Sequence, residues 1–148
     1  SKNNYENGSY LLTLACKSGC YKIADMIINR IDKIVPEALY EASKWGHLNI
    51  VEMLVSKGAD ITYKNNAALR KACERGHYPI VVFLVEHGAD VHADDDFAIR
   101  WASKEGHLQI VQYLVSKGAD VHALDDWALR WAKLEGRDYI VKYLSLQK

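Results

Sequence analysis

The chain is expected to fold as an all-α solenoid of about five stacked helix-turn-helix units, and three observations carry that expectation. First, two short signatures recur with a period of thirty residues. Gly-His stands at Gly46-His47, Gly76-His77 and Gly106-His107, and Gly-Ala-Asp stands at 58–60, 88–90 and 118–120. Second, the apolar residues between them keep the same register: Leu39, Leu69, Ile99 and Leu129; Ala42, Ala72, Ala102 and Ala132; Leu54, Leu84, Leu114 and Leu144. Third, 148 residues with 49% hydrophobic content suit one domain with a sizeable core.

The units follow in order. Residues 1–9 are polar and Asn-rich and read as a flexible lead-in, with none of the features of a signal peptide. The chain does not open on Met, so it is expected to belong to a longer protein. Unit one, about 10–35, is degraded. Leu11, Leu12, Leu14, Ala15, Gly19, Ile23, Ile27 and Ile28 keep the pattern, but no Gly-Ala-Asp follows, and the step from Leu12 to Leu39 is twenty-seven. Pro36 opens unit two (36–65) at the first turn of a helix, where proline is best tolerated. Units three (66–95) and four (96–125) are regular. In unit four, Ile99, Ala102 and Ser103 share one face of a first helix, and Gly106 stops it. Ile110, Val111, Leu114 and Val115 then form a second helix with a broad apolar face, ended by Gly118. Unit five (126–148) stops after its second helix. Neither helix of a unit can bury its apolar face alone, so the units must stack.

The string Gly-His-Leu-x-Ile-Val-x-x-Leu-Val-x-x-Gly-Ala-Asp-Val at 106–121 resembles the second helix and loop of an ankyrin repeat. The resemblance covers about residues 10–144. Two departures stand out. Ankyrin first helices open on Thr-Pro-Leu-His, whereas this chain reads Glu37-Ala38-Leu39-Tyr40, Ala67-Ala68-Leu69-Arg70, Phe97-Ala98-Ile99-Arg100 and Trp127-Ala128-Leu129-Arg130. The repeat is also three residues short of the usual length, and the missing residues fall at the tip of the β-hairpin finger. Thirty-residue repeats of the Ala-Leu-Arg-Trp-Ala type resemble those of the large ankyrin families of giant DNA viruses. The resemblance implies a protein-binding module that uses a concave groove, with shortened hairpin loops and with recognition shifted onto the first helix.

Helical spacing names the groove. With Ile99, Ala102 and Ser103 in the core, Phe97, Trp101, Lys104 and Glu105 share another face. The matching sets are Trp127, Trp131, Leu134 and Glu135 in unit five, Ala67, Lys71, Glu74 and Arg75 in unit three, and Glu37, Glu41, Lys44 and Trp45 in unit two. One half of the groove is charged and the other aromatic, with an arginine column of Arg70, Arg100 and Arg130 beside it. Tryptophan and arginine are frequent interface hot spots. The candidate partner-binding residues are therefore Trp45, Arg70, Arg75, Phe97, Arg100, Trp101, Lys104, Trp127, Arg130, Trp131 and Glu135. A scaffold role stands beside that one. Trp101 and Trp131 can pack on each other between units, and the arginines can pair with acidic loops one repeat away.

Other chemistries find little support. Nineteen basic and nineteen acidic residues leave no basic excess for nucleic acid. No apolar run reaches the roughly 20 residues of a membrane helix. Cys16, Cys20 and Cys73 make neither a disulfide framework nor a four-ligand zinc site. Asp94-Asp95-Asp96 and Asp125-Asp126, like Asn65-Asn66, fall before first helices and are expected to cap them. His47, His77 and His107 belong to the Gly-His turn, where the family uses the imidazole to tie the inter-helix loop. His92 and His122 lie one repeat apart, roughly 10 Å, too far to share a metal. No glycine-rich phosphate loop, His-Glu-x-x-His or nucleophile elbow is present. The expectation is a non-enzymatic module without cofactor or metal, working in the cytoplasm (the host cytoplasm if viral). It would bind another protein, a host one on the viral reading, as the target-capturing part of an adaptor. It is read as a monomer with room for weak self-association. The alternatives are a binder of a small anionic or aromatic ligand in the Arg/Trp groove and a spacer in a longer array.

Overall fold

The computed structural model describes residues 2–148, with side chains from residue 7 onward. Among the described residues there are ten helices and no strand. They form five pairs, each counted below as one unit together with the turn from Asp60, Asp90 or Asp120 that leads into it where there is one: α1 (Lys2–Ser18) with α2 (Tyr21–Ile28), α3 (Pro36–Trp45) with α4 (Leu48–Ser56), α5 (Tyr63–Arg75) with α6 (Tyr78–Glu86), α7 (Ala93–Glu105) with α8 (Leu108–Ser116), and α9 (Ala123–Leu134) with α10 (Asp138–Leu144). The first helices of successive pairs pack closely all along the array, while the second helices touch only lightly. The array therefore curves around its first helices, which form the inner face. Ala42, Ala72, Ala102 and Ala132 are wholly buried and let those helices approach. Leu12, Leu39, Leu69 and Ile99 fill the core beside them, with Ile50, Ile80, Ile110 and Ile140 from the second helices.

The stretch expected to be a flexible lead-in is helical from Lys2. Gly8 sits on this helix where a Cβ would lie 3.1 Å from the Ile31 side chain, so close packing on the connector after α2 holds the segment.

Units are tied in register across each inter-helix turn. His47, His77 and His107 place Nε2 at 3.2, 3.0 and 3.0 Å from the carbonyls of Lys17, Lys44 and Glu74 in the unit before. A carbonyl only accepts, so Nε2 carries the proton. The imidazole thus ties the inter-helix loop of the preceding unit. In unit five Arg137 takes the same role, donating Nε–H to the Lys104 carbonyl at 3.0 Å.

The connectors differ from the expected shortened hairpin. The last three begin with an aspartate turn, in which the amides of Thr62, His92 and His122 donate to the carboxylates of Asp60, Asp90 and Asp120. Three residues in the left-handed region follow: Lys64, Asn65 and Asn66; Asp94, Asp95 and Asp96; Leu124, Asp125 and Asp126, with φ between 47° and 59°. Left-handed backbone costs about 1–2 kcal/mol per L-residue, least for Asn and Asp. That cost explains the amide and carboxylate residues at these slots. It also corrects the capping expectation. None of these side chains caps its own helix. The reversed turn carries Asn66 and Asp96 towards the next unit instead, while Asp94 meets Arg70 and Asp126 meets His122. Asn66 accepts the Asp90 amide at 2.9 Å, and Asp96 accepts the Asp120 amide at 2.7 Å.

The arginine column closes the same turns. Arg70 donates Nε–H to Asn65 and Nη2–H to Lys64, both at 3.0 Å. Arg100 does the same to Asp95 and Asp94, both at 2.8 Å. Arg130 reaches Leu124 at 3.0 Å. Arg70 also pairs Nη1 with Asp94 Oδ2 at 2.8 Å in the next unit. Leu124 occupies the slot that would serve Arg100 in this way. The Leu124→Asp variant should therefore be more stable by about 1 kcal/mol, through a better left-handed residue and a new ion pair. An unchanged or lower melting temperature would refute that pairing.

His122 Nδ1 bonds the Asp126 carboxylate, and this hydrogen bond first of all raises the imidazole pKa above its ordinary 6.5. A raised folded-state pKa stabilises fully below the unfolded value, and the effect disappears as pH rises through the folded one. His122→Ala should therefore lose more stability at about pH 5.5 than at about pH 8.5. Equal losses in melting scans at the two pH values would contradict the linkage.

Candidate functional site: an aromatic and cationic ladder

On the inner face, Phe97 and Trp101 lie one turn apart on α7 and stack with ring centroids 5.3 Å apart. Trp127 and Trp131 repeat the arrangement on α9 at 5.3 Å. Trp101 and Trp127 join the two pairs across the unit boundary at 5.7 Å. The result is one continuous zigzag of four half-buried rings. Trp101 and Trp131 do not pack directly as a pair; Trp127 and Lys104 stand between them.

Cations interleave with the rings. Arg70 lies 5.0 Å from the Phe97 centroid. Arg100 lies 5.8 Å from Phe97 and 5.2 Å from Trp127. Lys104 sits 4.3 Å from Trp101 and 4.9 Å from Trp131, so its ammonium is held between two indoles of neighbouring units. These distances fall within the range where a ring face attracts a cation. Arg100 is only 8% exposed, with most of its fork on the backbone of its own connector. Its place is that of a structural strut whose flank faces the groove. Arg130 is exposed and reaches one carbonyl only.

A second cluster forms in units two and three. Arg75 lies 5.6 Å from the Trp45 ring, and Lys44 lies 5.4 Å from it on the same helix. The Trp45 indole N–H donates to Glu41 at 3.0 Å. Trp45 and Arg75, singled out because they break the repeat, thus come together. Glu135, singled out for the same reason, does not join them. It is exposed at the C-terminal end of α9. Sequence reasoning missed Tyr63, whose hydroxyl donates to Glu37 at 2.8 Å across a unit boundary and, as the leading cause, holds that carboxyl below its usual range. An aromatic residue at a slot where later units carry alanine was the available signal.

Burial raises the pKa of the Cys73 thiol, and pushes that of Cys16 up to about 12, so both stay protonated at neutral pH. Among the described residues no group of three His, Cys, Asp or Glu side chains could hold a metal ion. No described helix is long and apolar enough to cross a membrane.

No curated protein matches the sequence. The family model described as ankyrin repeats (3 copies) matches residues 1–65 and 63–125. The match spans most of the chain and agrees with five helix pairs stacked through Gly-His ties; the chain is a member of the ankyrin-repeat family.

Proposed function

We propose that this chain binds a partner protein along the inner face of its first helices, with the ladder from Phe97 to Trp131 as the contact centre. Ankyrin repeats are generally protein-interaction modules. The observation that carries the reading is the unbroken run of four half-buried aromatic rings on an open face. Rings that were only scaffold would be fully covered, and these are left half-buried. Large aromatics at the centre of a concave surface are the side chains most often found to dominate interfaces. The module is non-catalytic in this reading. The thirty-residue pattern supports a viral array, acting as the target-capturing part of an adaptor on a host protein in the cytoplasm.

The test compares affinity captures from host lysate by quantitative mass spectrometry. Wild type would run beside Trp101→Ser/Trp131→Ser and a control at exposed apolar residues off the ladder, Tyr139→Ser/Leu146→Ser. Partners lost with the first variant and kept with the control support the ladder. Partners kept with the first variant place the site elsewhere. The arginines are left intact because Arg100 holds a connector.

A further inference from the structure

We infer that the ladder takes an acidic peptide, one whose Asp or Glu side chains meet the cations of units four and five; the inference rests on the inner face being the binding surface. The cations beside the ladder in units four and five lack carboxylate partners among the described residues. Elsewhere on this face Arg70 pairs with Asp94 and Lys71 pairs with Glu74, while Lys44 and Arg75, which make no ion pair among the described residues, share their helices with Glu41 and Glu74. Among the described residues, Arg100, Lys104 and Arg130 have no carboxylate within ion-pair distance. Lys104 makes no hydrogen bond from its ammonium there either, its neighbours being the two indole faces. Leu124 stands where an aspartate would have matched Arg100. Glu105 and Glu135 lie in the sequence beside this cluster but pair with none of it.

The shape agrees with the charge. The ladder ends at an open hollow of about 540 Å³ lined by Arg130, Trp131, Lys133 and Leu134. Two of those four residues are cationic and two are apolar. A cation held against ring faces is partly withdrawn from water, which strengthens its attraction for a ligand carboxylate relative to an ordinary surface lysine. Aromatic faces on either side would hold the apolar side chains of the same peptide. A ligand matching this surface alternates acidic and aromatic residues.

The probes are a random glutamate–tyrosine copolymer, a lysine–tyrosine copolymer and single-stranded oligothymidine, titrated against the whole chain by indole fluorescence at low and at physiological salt. The glutamate–tyrosine copolymer should bind best, and its affinity should fall with salt. Lys104→Glu should weaken it at least about tenfold, as expected for a lost charge-assisted contact. Leu124→Asp, which supplies the missing carboxylate without touching a ring, should weaken it severalfold while the fold is kept. Equal binding of the lysine–tyrosine copolymer, tighter binding of oligothymidine, or indifference to Lys104→Glu would overturn the inference. Loss of binding in Trp101→Ser/Trp131→Ser with indifference to Lys104→Glu would remove the acidic preference and leave the inner-face reading standing. Copolymer binding that is lost with Lys104→Glu but kept in the tryptophan variant would overturn the ladder as contact centre.

Discussion

Arg100→Leu should destabilise the fold by about 2–3 kcal/mol, whereas Arg130→Leu should cost less than about 1 kcal/mol. The two arginines occupy one repeat slot, and only their surroundings differ. Arg100 is buried between units four and five, and its fork satisfies the carbonyls of Asp94 and Asp95. Leucine would fill the space but leave those acceptors without a donor, and would free the left-handed turn from its own helix. Arg130 is exposed, and its single carbonyl can turn to water. For a chain of this size each kcal/mol moves the melting temperature by roughly 2–4 °C. Chemical denaturation of both variants gives the comparison directly. Equal losses would mean that the column is surface decoration.

The second large effect is expected at Gly76. Its φ is +80°, and an added Cβ would lie 2.6 Å from the ring of His107. Gly76→Ala should therefore cost about 3 kcal/mol, from left-handed strain and from displacement of the imidazole off the Glu74 carbonyl. His107→Ala alone loses one hydrogen bond and its packing, about 1–2 kcal/mol. In the double variant the ring is gone and nothing is left to clash with, so the losses should sum to less than the two singles. Strict additivity in a denaturation cycle would show that glycine and imidazole do not meet.

The stacking of units was legible because it depends on periodic apolar burial, which repeats openly in the sequence. The slots of Leu69 and Ile99 or of Ala72 and Ala102 could be read without coordinates, and so could the open face carrying Phe97, Trp101, Trp127 and Trp131. The connectors were not legible. Their conformation depends on a backbone handedness that no apolar period reports, and an aspartate before a helix is more often a cap. The signal lay in the combination: two or three consecutive Asn or Asp residues, with an arginine six residues beyond the first position of each turn. The pairing of Arg70 with an acidic turn one repeat away follows the scaffold role read for the arginines, but a fork aimed at backbone carbonyls leaves no trace in charge pairing and was not legible. The charge imbalance over units four and five became visible only when Arg70 was seen to have a partner that Arg100 lacks.

The inter-unit ties are unequal along the array, and this sets the order in which it opens. Units three and four share three ties: the His107 ring on Glu74, the Asn66 amide on Asp90, and the Arg70–Asp94 pair. Units one and two share the His47 contact at 3.2 Å and a bond from Lys57 to the Asn29 side chain. Both of these lie in solvent, whereas every other boundary carries at least one part-buried tie, and in a stack where each unit holds only its neighbours local opening begins at the exposed boundary. Amide hydrogens of α2 should exchange with solvent soonest and those of α5 and α7 last. The aromatic ladder is then mounted on and beside the slowest-opening segment, and a ligand on the proposed surface would meet rings already held in place.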